Sequence, residues 1–374
     1  MANPLLGVAL HALGGIGHGS FYAPLKKVRG WAWESAWLAQ GLAAWLITPW
    51  LVAWLTGSQP LATFAQASWH DMRNTFLFGA IWGMGSLTFG LSMRYLGMSL
   101  GQAVALGYTV ALGTLIPPLL EGKFAAIVAT GSGKVVVFGV VVCLLGIGLC
   151  GLAGVRRDRE RGAQKTSSGR SLLGLGFLVA SFSGIMSSGF ALGINAGKPL
   201  ADLALKNGSP SIFQNSPTFI LVMAGGLSVN LIWCLYLGMK NRSTGDFLGN
   251  ISNKHHDWNG APAMEKHQPG FLKKNYLWAS IAGVTWYVGF MLYGMGTTFM
   301  GDYHFVSWSI HLAFVIAFST LCGILAREWS GVRPLTAVCV AVGMAVLVGS
   351  TLITASSDAL AKKFPSIFTE KSQP

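Results

Sequence analysis

Charged side chains are scarce in this chain. Asp, Glu, Lys and Arg make up only 10% of its 374 residues, whereas a typical soluble domain carries about 25%. Hydrophobic residues account for 52%, and tryptophan occurs 14 times. Because helices satisfy their own backbone polar groups in hydrocarbon, this composition predicts an all-α integral membrane protein.

Cysteines are also few, and their placement argues against two kinds of site. All five lie inside apolar runs without a C-x-x-C pair, which disfavours a disulfide framework and a zinc site. The 26 Lys and Arg outnumber the 13 acidic residues, yet no nucleic-acid-binding motif accompanies them. With no nucleophile, metal-ligand cluster or nucleotide loop in the sequence, we expect no enzyme activity, no cofactor, no metal, no nucleic-acid partner and no obligatory protein partner.

Long apolar runs fill most of the chain. Crossing about 30 Å of hydrocarbon takes roughly 20 helical residues, and ten runs have this length. The first run lacks the basic segment of a cleavable signal peptide, so we expect it to stay in the protein. The predicted spans are 4–24, 34–56, 74–94, 99–121, 134–155, 171–194, 216–240, 274–298, 304–327 and 334–355.

Basic residues concentrate in the loops that join an odd-numbered span to the next one. The first of these loops, residues 21–34 (FYAPLKKVRGWAWE), is called the hinge here, and it sets Lys26, Lys27 and Arg29 between aromatic residues. This order is typical of a membrane–water boundary, and Trp31 is interpreted as an interface anchor. By the positive-inside rule the basic loops face the cytoplasm, which predicts that both termini lie outside.

The two halves of the chain echo each other. Trp82-Gly-Met-Gly-Ser-Leu-Thr-Phe-Gly in the third span and Trp286-Tyr-Val-Gly-Phe-Met-Leu-Tyr-Gly in the eighth share the spacing of Trp, Gly, an aromatic residue and Gly. Because each half holds five spans, the second enters the membrane inverted, as in many secondary transporters whose substrate site lies near the midplane. The predicted units are a five-helix repeat at 1–160, a basic linker at 161–170, a second five-helix repeat at 171–355 with a polar cytoplasmic loop at 241–270, and a C-terminal tail at 356–374.

Five motifs in order resemble those of one known family. They are FYAPLKKVRGWAWE at 21–34, MRYLGMS at 93–99, NAGKP at 195–199, WY at 286–287 and DYHFVSW at 302–308. Together they are similar to the L-rhamnose/proton symporter family, a branch of the drug/metabolite transporter superfamily, from about residue 5 to 355. The resemblance implies ten helices, a bacterial inner-membrane location and sugar uptake coupled to protons.

The substrate is expected to meet aromatic and polar side chains within the spans. The resemblance marks departures here, because rhamnose carriers of the family have amides where this chain has Ser86, Thr88 and Gly289. Gln102, in turn, falls where those carriers are apolar. A site built to hydrogen-bond a hydroxyl rejects analogues that lack it, so these departures bear on which sugar is carried, whereas the resemblance itself implies L-rhamnose or a close analogue. The candidate sugar-binding residues are Gln102, Trp82, Trp286, Tyr287, Trp308, Ser86, Thr88 and Asn195.

Three alternatives accompany this hypothesis, one for the substrate and one each for Trp308 and Lys198. A drug or metabolite exporter or exchanger of the same fold would carry a non-sugar substrate. Trp308, which lies near the outer boundary, has the alternative role of a lipid anchor. Lys198 could cap the sixth helix or close an outer gate.

Proton coupling is expected from ionisable groups at membrane depth, because such groups are costly there and mark functional sites. His11 and His311 lie at equal predicted depth, about 10 Å below the outer surface, and imidazole titrates near neutral pH. The structural alternative is that each ring only forms a hydrogen bond with a backbone carbonyl or a facing Ser. Asp302 at the outer mouth and Glu34 at the start of the second span are the carboxylate candidates.

Overall fold

The computed structural model describes residues 3–96, 98–160, 170–249, 270–325, 327 and 329–364. Most of the predicted linker, of the polar loop and of the tail lies outside these residues. All regular secondary structure in the described part is helical. The helices are α1 Pro4–Ser20, α2 Tyr22–Leu25, α3 Trp33–Leu42, α4 Thr48–Leu55, α5 Pro60–Gln66, α6 Trp69–Leu96, α7 Met98–Leu120, α8 Phe124–Ala129, α9 Gly131–Glu160, α10 Arg170–Ser187, α11 Gly189–Ala196, α12 Lys198–Lys206, α13 Ser216–Asn241, α14 Phe271–Thr298, α15 Ser307–Leu325, α16 Pro334–Ala355 and α17 Ser357–Lys363.

Short helical turns join some of these elements. A π-helical turn at Ala43–Ile47 links α3 to α4, so the second span is nearly continuous. Single 3-10 turns lie at Ser211–Phe213, Thr244–Leu248 and Gly301–Val306. The sixth span is broken into α10 and α11, and α12 follows after Gly197.

Nine segments of the described part are long and apolar enough to cross a membrane. The predicted first span is shorter than expected, because α1 has 17 residues, or about 25 Å at 1.5 Å per residue. It ends at Ser20 because Pro24 has no N–H to donate to the Ser20 carbonyl. The chain is therefore a multi-pass helical membrane protein, and in the part that the structure describes nine spans, rather than the predicted ten, reach full length.

The short α1 has one buried face, whereas Leu5, Leu13 and Ile16 on its other face are exposed. It packs along α14 and α15, while α10 packs along α6 and α7. The long helices α9 and α16 pack against each other, and α13 packs against α6. The core between them is aromatic, and it collects Trp45, Trp82, Phe190, Phe290 and Trp308 among its buried members.

The hinge is folded into the bundle rather than spread on its surface. Trp31 is fully buried, with its ring edge-on to Phe247 at 5.8 Å and to Tyr276 at 5.0 Å. The interpretation of Trp31 as an interface anchor is therefore wrong. The side chain of Asn275 bonds both the N–H and the carbonyl of Arg29, at 3.1 and 2.8 Å. These contacts tie the hinge to α14 and close this end of the bundle, which we call the hinge end.

Candidate substrate and proton site

A cavity of about 280 Å³ opens at the end of the bundle opposite the hinge, which we call the cavity end. Its walls come from α7, α11, α12, α14, the loop before α13 and the 3-10 turn before α15. Trp308 and Tyr293 form its buried floor, with 4% and 3% of their surface exposed. The polar wall residues are Asn195, Lys198, Asp202, Gln214, Asn215, Thr297, Thr298 and His304.

Three amide side chains converge on this cavity. Asn195 was predicted from the sequence, whereas Gln214 and Asn215 were missed because they precede α13 in a loop and follow no helical spacing. Asn215 donates to the Gly294 carbonyl at 3.2 Å, which holds the side chain against α14. The cavity thus offers hydrogen-bond donors and acceptors of the kind that sugar hydroxyls require.

The floor continues into a stack of aromatic rings. Trp308 stacks on Phe190 at 5.2 Å, and Phe190 lies 4.1 Å from Phe290, measured between ring centroids. The indole N–H of Trp308 donates to the Thr109 carbonyl at 3.1 Å. Since Trp308 is buried inside the bundle, the alternative of a lipid anchor is wrong.

Three buried histidines lie beside the floor. Nδ1 of His18 and Nε2 of His311 are 2.8 Å apart and share a hydrogen bond. The ring of His11 lies 6.1 Å from that of His311, and both of its nitrogens lack a hydrogen-bond partner in the described structure. Tyr293 joins this group to the cavity, because its ring lies 5.2 Å from His311 and 5.5 Å from Trp308.

The structure therefore brings together His11 and His311, which the sequence singled out, and adds His18. The available signal for His18 was its spacing of seven residues from His11, which sets both rings on one face of α1. The alternative of a purely structural hydrogen bond does not describe His11, because neither of its ring nitrogens has a hydrogen-bond partner in the described structure.

Two glycines allow the histidines to meet. A Cβ on Gly14 would lie 2.7 Å from the Gly289 carbonyl oxygen, and one on Gly289 would lie 2.9 Å from the Gly14 carbonyl oxygen and 3.0 Å from the His18 ring. Helices α1 and α14 therefore approach closely at this crossing, as small residues permit in membranes. No side chain, and so no amide, fits at position 289 with this helix spacing.

The other predicted sugar contacts lie away from the cavity. Trp82 and Trp286 stack on each other at 5.8 Å near Trp45. Tyr287 is fully buried against Phe219, and its hydroxyl has no partner in the described structure.

Two hydroxyl candidates are already bonded within the bundle. Ser86 donates to the Gly83 carbonyl at 2.9 Å and also accepts from the buried amide of Asn230 at 3.2 Å. Thr88 donates to the Met84 carbonyl of its own helix at 2.9 Å. The Asn230 side chain, which the sequence reading missed, also accepts from the Trp37 indole at 3.0 Å.

The carboxylate candidates are not beside the histidines. Glu34 is buried at the hinge end, where it accepts hydrogen bonds from Asn241 at 2.9 Å and from Ser243 at 2.6 Å. The side chains of Asp302 and Gln102 lie outside the described part of the structure. Nearby, Asp246 accepts from the backbone N–H of Ala32 at 2.8 Å, which adds to the closure of the hinge end.

An ion pair lies at the rim of the cavity. The ammonium of Lys198 donates to Glu121 at 2.6 Å, and Lys123 lies 2.9 Å from the same carboxylate. Partial burial raises the pKa of Glu121, but the hydrogen bonds from Lys198 and Lys123 outweigh it and hold that pKa below its usual value. The Lys198 side chain therefore bridges α12 to the end of α7, which favours the gate over a helix cap.

A multi-pass helical bundle with a polar cavity and buried titratable rings at its floor defines a membrane transport protein. The family model described as L-rhamnose-proton symport protein (RhaT) matches residues 1–357. The L-rhamnose-proton symporter of Yersinia pestis (strain Pestoides F) is 33% identical over 339 residues, which cover 90% of this chain and 93% of the relative. That of Cronobacter sakazakii (strain ATCC BAA-894) is 34% identical over 340 residues, with 90% and 93% covered.

The chain therefore belongs to the L-rhamnose-proton symport family. This confirms the resemblance seen in the five motifs. The family consists of transporters, so the expectation that the chain is not an enzyme is confirmed as well.

Proposed function

We propose that this protein is a proton-coupled secondary transporter that imports a deoxysugar, L-rhamnose or a close analogue, by alternating access. The observation that carries the proposal is the cavity at the end opposite the hinge, with amides on its walls, Trp308 on its floor and histidines directly behind. The relatives in the comparison are named as rhamnose-proton symporters, which supports the same substrate class.

The size of the cavity favours a single sugar ring over a larger solute. Its volume is about 280 Å³, at the lower limit of the roughly 300–1,000 Å³ of ordinary small-molecule sites. Asn195, Gln214 and Asn215 supply hydrogen-bonding groups to the hydroxyls, and Trp308 supplies an aromatic surface for the apolar face of the ring. A drug-sized solute would need more space than this cavity offers.

The proton is held by the histidine group. The His18–His311 hydrogen bond places two imidazole nitrogens 2.8 Å apart, so an added proton is stabilised by both. Tyr293 contacts both His311 and Trp308, so a sugar on the floor lies one ring away from the proton. A ligand shifts a conformational equilibrium only through its differential affinity for the two states, and this proximity lets sugar and proton favour the same state.

Glu34 and Asp302 take other roles in this scheme. Glu34 is engaged by α13 and the loop after it at the hinge end, so we assign it to the inner seal. Asp302 precedes the cavity residue His304 in the chain and is assigned to the outer mouth. Trp82, Trp286, Tyr287, Ser86, Thr88 and Gln102 are assigned to the route of the sugar beyond the floor.

Alternating access is supported by the matching helix packing in the two halves of the chain. Helix α1 packs on α14 and α15, and its counterpart in the second half, α10, packs on α6 and α7. If each span of the first half is replaced by its counterpart in the second, the first by the sixth, the third by the eighth and the fourth by the ninth, the same set of contacts results. Two inverted five-helix repeats require this correspondence. With the basic hinge in the cytoplasm and both termini outside, the structure corresponds to an outward-open state in the bacterial inner membrane.

Counterflow into proteoliposomes tests the proposal. Vesicles are preloaded with unlabelled sugar, and entry of labelled rhamnose, fucose and lyxose is measured at equal pH on both sides. We expect one of the three to exchange, and to accumulate when the outside is made acidic. Exchange that does not respond to the pH gradient would reject proton coupling and favour the exchanger. If none of the three sugars enters, the sugar assignment is rejected.

A further inference from the structure

A second cavity, of about 340 Å³, lies at the hinge end of the bundle, between the last turn of α9 and the start of α16. It is distant from the substrate site and has no part in the transport scheme. Its lining residues are Arg156, Arg159, Glu160, Arg333, Leu335 and Thr336.

Among the described residues, the carboxylate that lines this cavity is Glu160, and it is bonded to the start of α16. Glu160 accepts from the backbone N–H of Arg333 at 2.8 Å and from the Thr336 hydroxyl at 2.7 Å. These two hydrogen bonds, followed by the charges of Arg333 and Arg156, hold the pKa of Glu160 below its usual value. Glu160 therefore stays ionised as a cap of α16 and neutralises only part of the positive charge.

The three guanidinium groups remain available. Within the described residues, no carboxylate lies at ion-pair distance from the side chains of Arg156, Arg159 or Arg333. Each guanidinium presents a planar fork of donors that matches the oxygens of a phosphate group. Three such forks from two helices, against one engaged carboxylate, make a site for an anion.

The surroundings of the cavity indicate where that anion comes from. The membrane-spanning part of α9 ends at Arg157, so the cavity lies at the level of lipid headgroups. Next to it α16 exposes Leu335, Val338 and Val342, by 66%, 57% and 47%, on the side that faces hydrocarbon. Basic pockets between helices at a cytoplasmic surface bind anionic headgroups in this way.

We propose that this arginine cavity binds the phosphate group of an anionic phospholipid, whose acyl chains follow the apolar surface of α16. The proposal does not rest on the transported substrate. It predicts that lipid binding and transport can be lost independently.

Native mass spectrometry of the purified full-length protein in detergent tests the site, with phosphatidylglycerol and cardiolipin as anionic lipids and phosphatidylcholine as the zwitterionic comparison. The double variant Arg156→Gln/Arg333→Gln removes one guanidinium from each helix. The control Lys273→Gln/Lys274→Gln removes the same charge from exposed residues at the start of α14. We expect the apparent dissociation constant for the anionic lipids to rise about tenfold in the arginine variant, as befits lost charge-assisted hydrogen bonds, and to stay unchanged in the lysine variant.

A parallel thermal-melting series with inorganic phosphate distinguishes a lipid from a soluble anion. Stabilisation by lipid alone assigns the phosphate to a headgroup, and equal stabilisation by free phosphate assigns it to a soluble anion. The variant Arg156→Lys/Arg333→Lys keeps the charge and loses the fork geometry, so it should bind with intermediate strength even if the glutamine variant folds poorly. Equal affinity of Arg156→Gln/Arg333→Gln and Lys273→Gln/Lys274→Gln for the anionic lipids would overturn the site. The same holds if the parent shows no preference for anionic over zwitterionic lipid.

Discussion

The hydrogen bond between His18 and His311 is the most specific contact in the candidate proton site, because it crosses from α1 to α15 at 2.8 Å. A protonated imidazole buried alone would carry a large desolvation cost. A second imidazole nitrogen at hydrogen-bond distance reduces that cost, which is why the proposed scheme assigns the proton to this pair.

The first prediction follows from this pair. His311→Ala should abolish accumulation driven by a pH gradient while sugar counterflow persists. For one proton per sugar, a gradient of one pH unit supports about a tenfold accumulation in the parent, and the variant should show none. Uptake of labelled sugar into proteoliposomes with and without the gradient measures this ratio.

A matched control is His70→Ala, since His70 is exposed at the start of α6 and does not line the cavity. His18→Ala should behave like His311→Ala, because either change leaves one nitrogen without its partner. Normal accumulation by both variants would remove the proton role from the pair.

The amides on the cavity wall give the second prediction. Asn195→Ala and Gln214→Ala should each raise the half-saturating sugar concentration roughly two- to tenfold, the effect of losing a hydrogen bond of about 0.5–1.5 kcal/mol. Initial rates of uptake over a range of sugar concentrations measure this. Gln66→Ala is the control, because Gln66 is exposed on α5 and bonds only Asn207.

Sequence spacing reached some of these residues and missed others for a physical reason. His11 and His311 follow from depth within a helix, which the chain length from the boundary determines. Gln214 and Asn215 reach the cavity only because a loop folds over α14, and no local periodicity records that contact. The sequence assigned Glu34 to the proton path because its place in a predicted span was visible but its hydrogen-bond partners were not. Those partners, Asn241 and Ser243, are more than 200 positions away.

At the scale of elements, the crossing of α1 and α14 determines whether the histidines can meet. Gly289→Ala should destabilise the protein by about 1–3 kcal/mol, because overpacking displaces helices that are already in contact. A Cβ there would lie 2.9 Å from a backbone oxygen of α1. The third prediction is therefore a lower melting temperature of the purified protein and a weakened response to the pH gradient.

Gly148→Ala in α9 serves as its control. A Cβ at Gly148 meets nothing within 4 Å, and alanine is about 1 kcal/mol more favourable than glycine in a helix. This variant should melt at the same or a higher temperature. If Gly289→Ala behaved like Gly148→Ala, the close packing of α1 on α14 would not exist in the folded protein.

The ion pair at the rim links α7 to α12 and gives the fourth prediction. The folded-state pKa of Glu121 is lowered, so its stabilising contribution is present above the unfolded value of about 4.3 and is lost as the pH falls through the lower folded value. Partly exposed pairs contribute at most about 1 kcal/mol. Glu121→Gln should therefore melt slightly below the parent from pH 5 to 8, and the difference should shrink as the pH falls from the unfolded value through the lower folded value.

Differential melting curves of parent and variant across this pH range make the comparison, because other carboxylates titrate in both proteins. Asp358→Asn, at an exposed carboxylate of α17, should show no such pattern. A difference between parent and Glu121→Gln that grew on acidification would contradict the sign of the pKa shift.

The extent of each helix was predictable where an apolar run ended in a clear signal, as at Pro334 and at Asn241. The end of the first span was harder to predict. There the helix ends four residues before Pro24, because proline has no backbone N–H to donate to the carbonyl of Ser20. Hydropathy also did not reveal that the sixth span breaks at Ser188, because α10 and α11 are both apolar. Helix α11 carries Asn195, which lines the cavity.

At the scale of the whole molecule, the two ends of the bundle are in different states. The hinge end is closed by Trp31, by the Asn275 bonds to Arg29 and by the Glu34 network. The other end holds the cavity and a single bridging ion pair from Lys198 to Glu121. This asymmetry is a property of tertiary packing, which the near-symmetric pattern of the two sequence halves does not contain.

The fifth prediction tests this asymmetry together with the orientation of the chain. In intact cells, the cysteine of Gln214→Cys should react with a membrane-impermeant maleimide added outside, and saturating sugar should slow the reaction several-fold by filling the cavity. The cysteine of Lys273→Cys, at the hinge end, should react only after the membrane is permeabilised. The five native cysteines lie within the spans, and the parent protein measures their background.

Gln66→Cys separates occupancy of the cavity from a general effect of sugar, because this residue is exposed on the cavity side of the bundle but does not line the cavity. Its labelling from outside should be the same with and without sugar. Labelling of Lys273→Cys in intact cells would reverse the assigned orientation and place both termini inside. Equal labelling of Gln214→Cys with and without sugar, in a protein that performs counterflow, would place the sugar elsewhere in the bundle, since Gln214 lines the cavity.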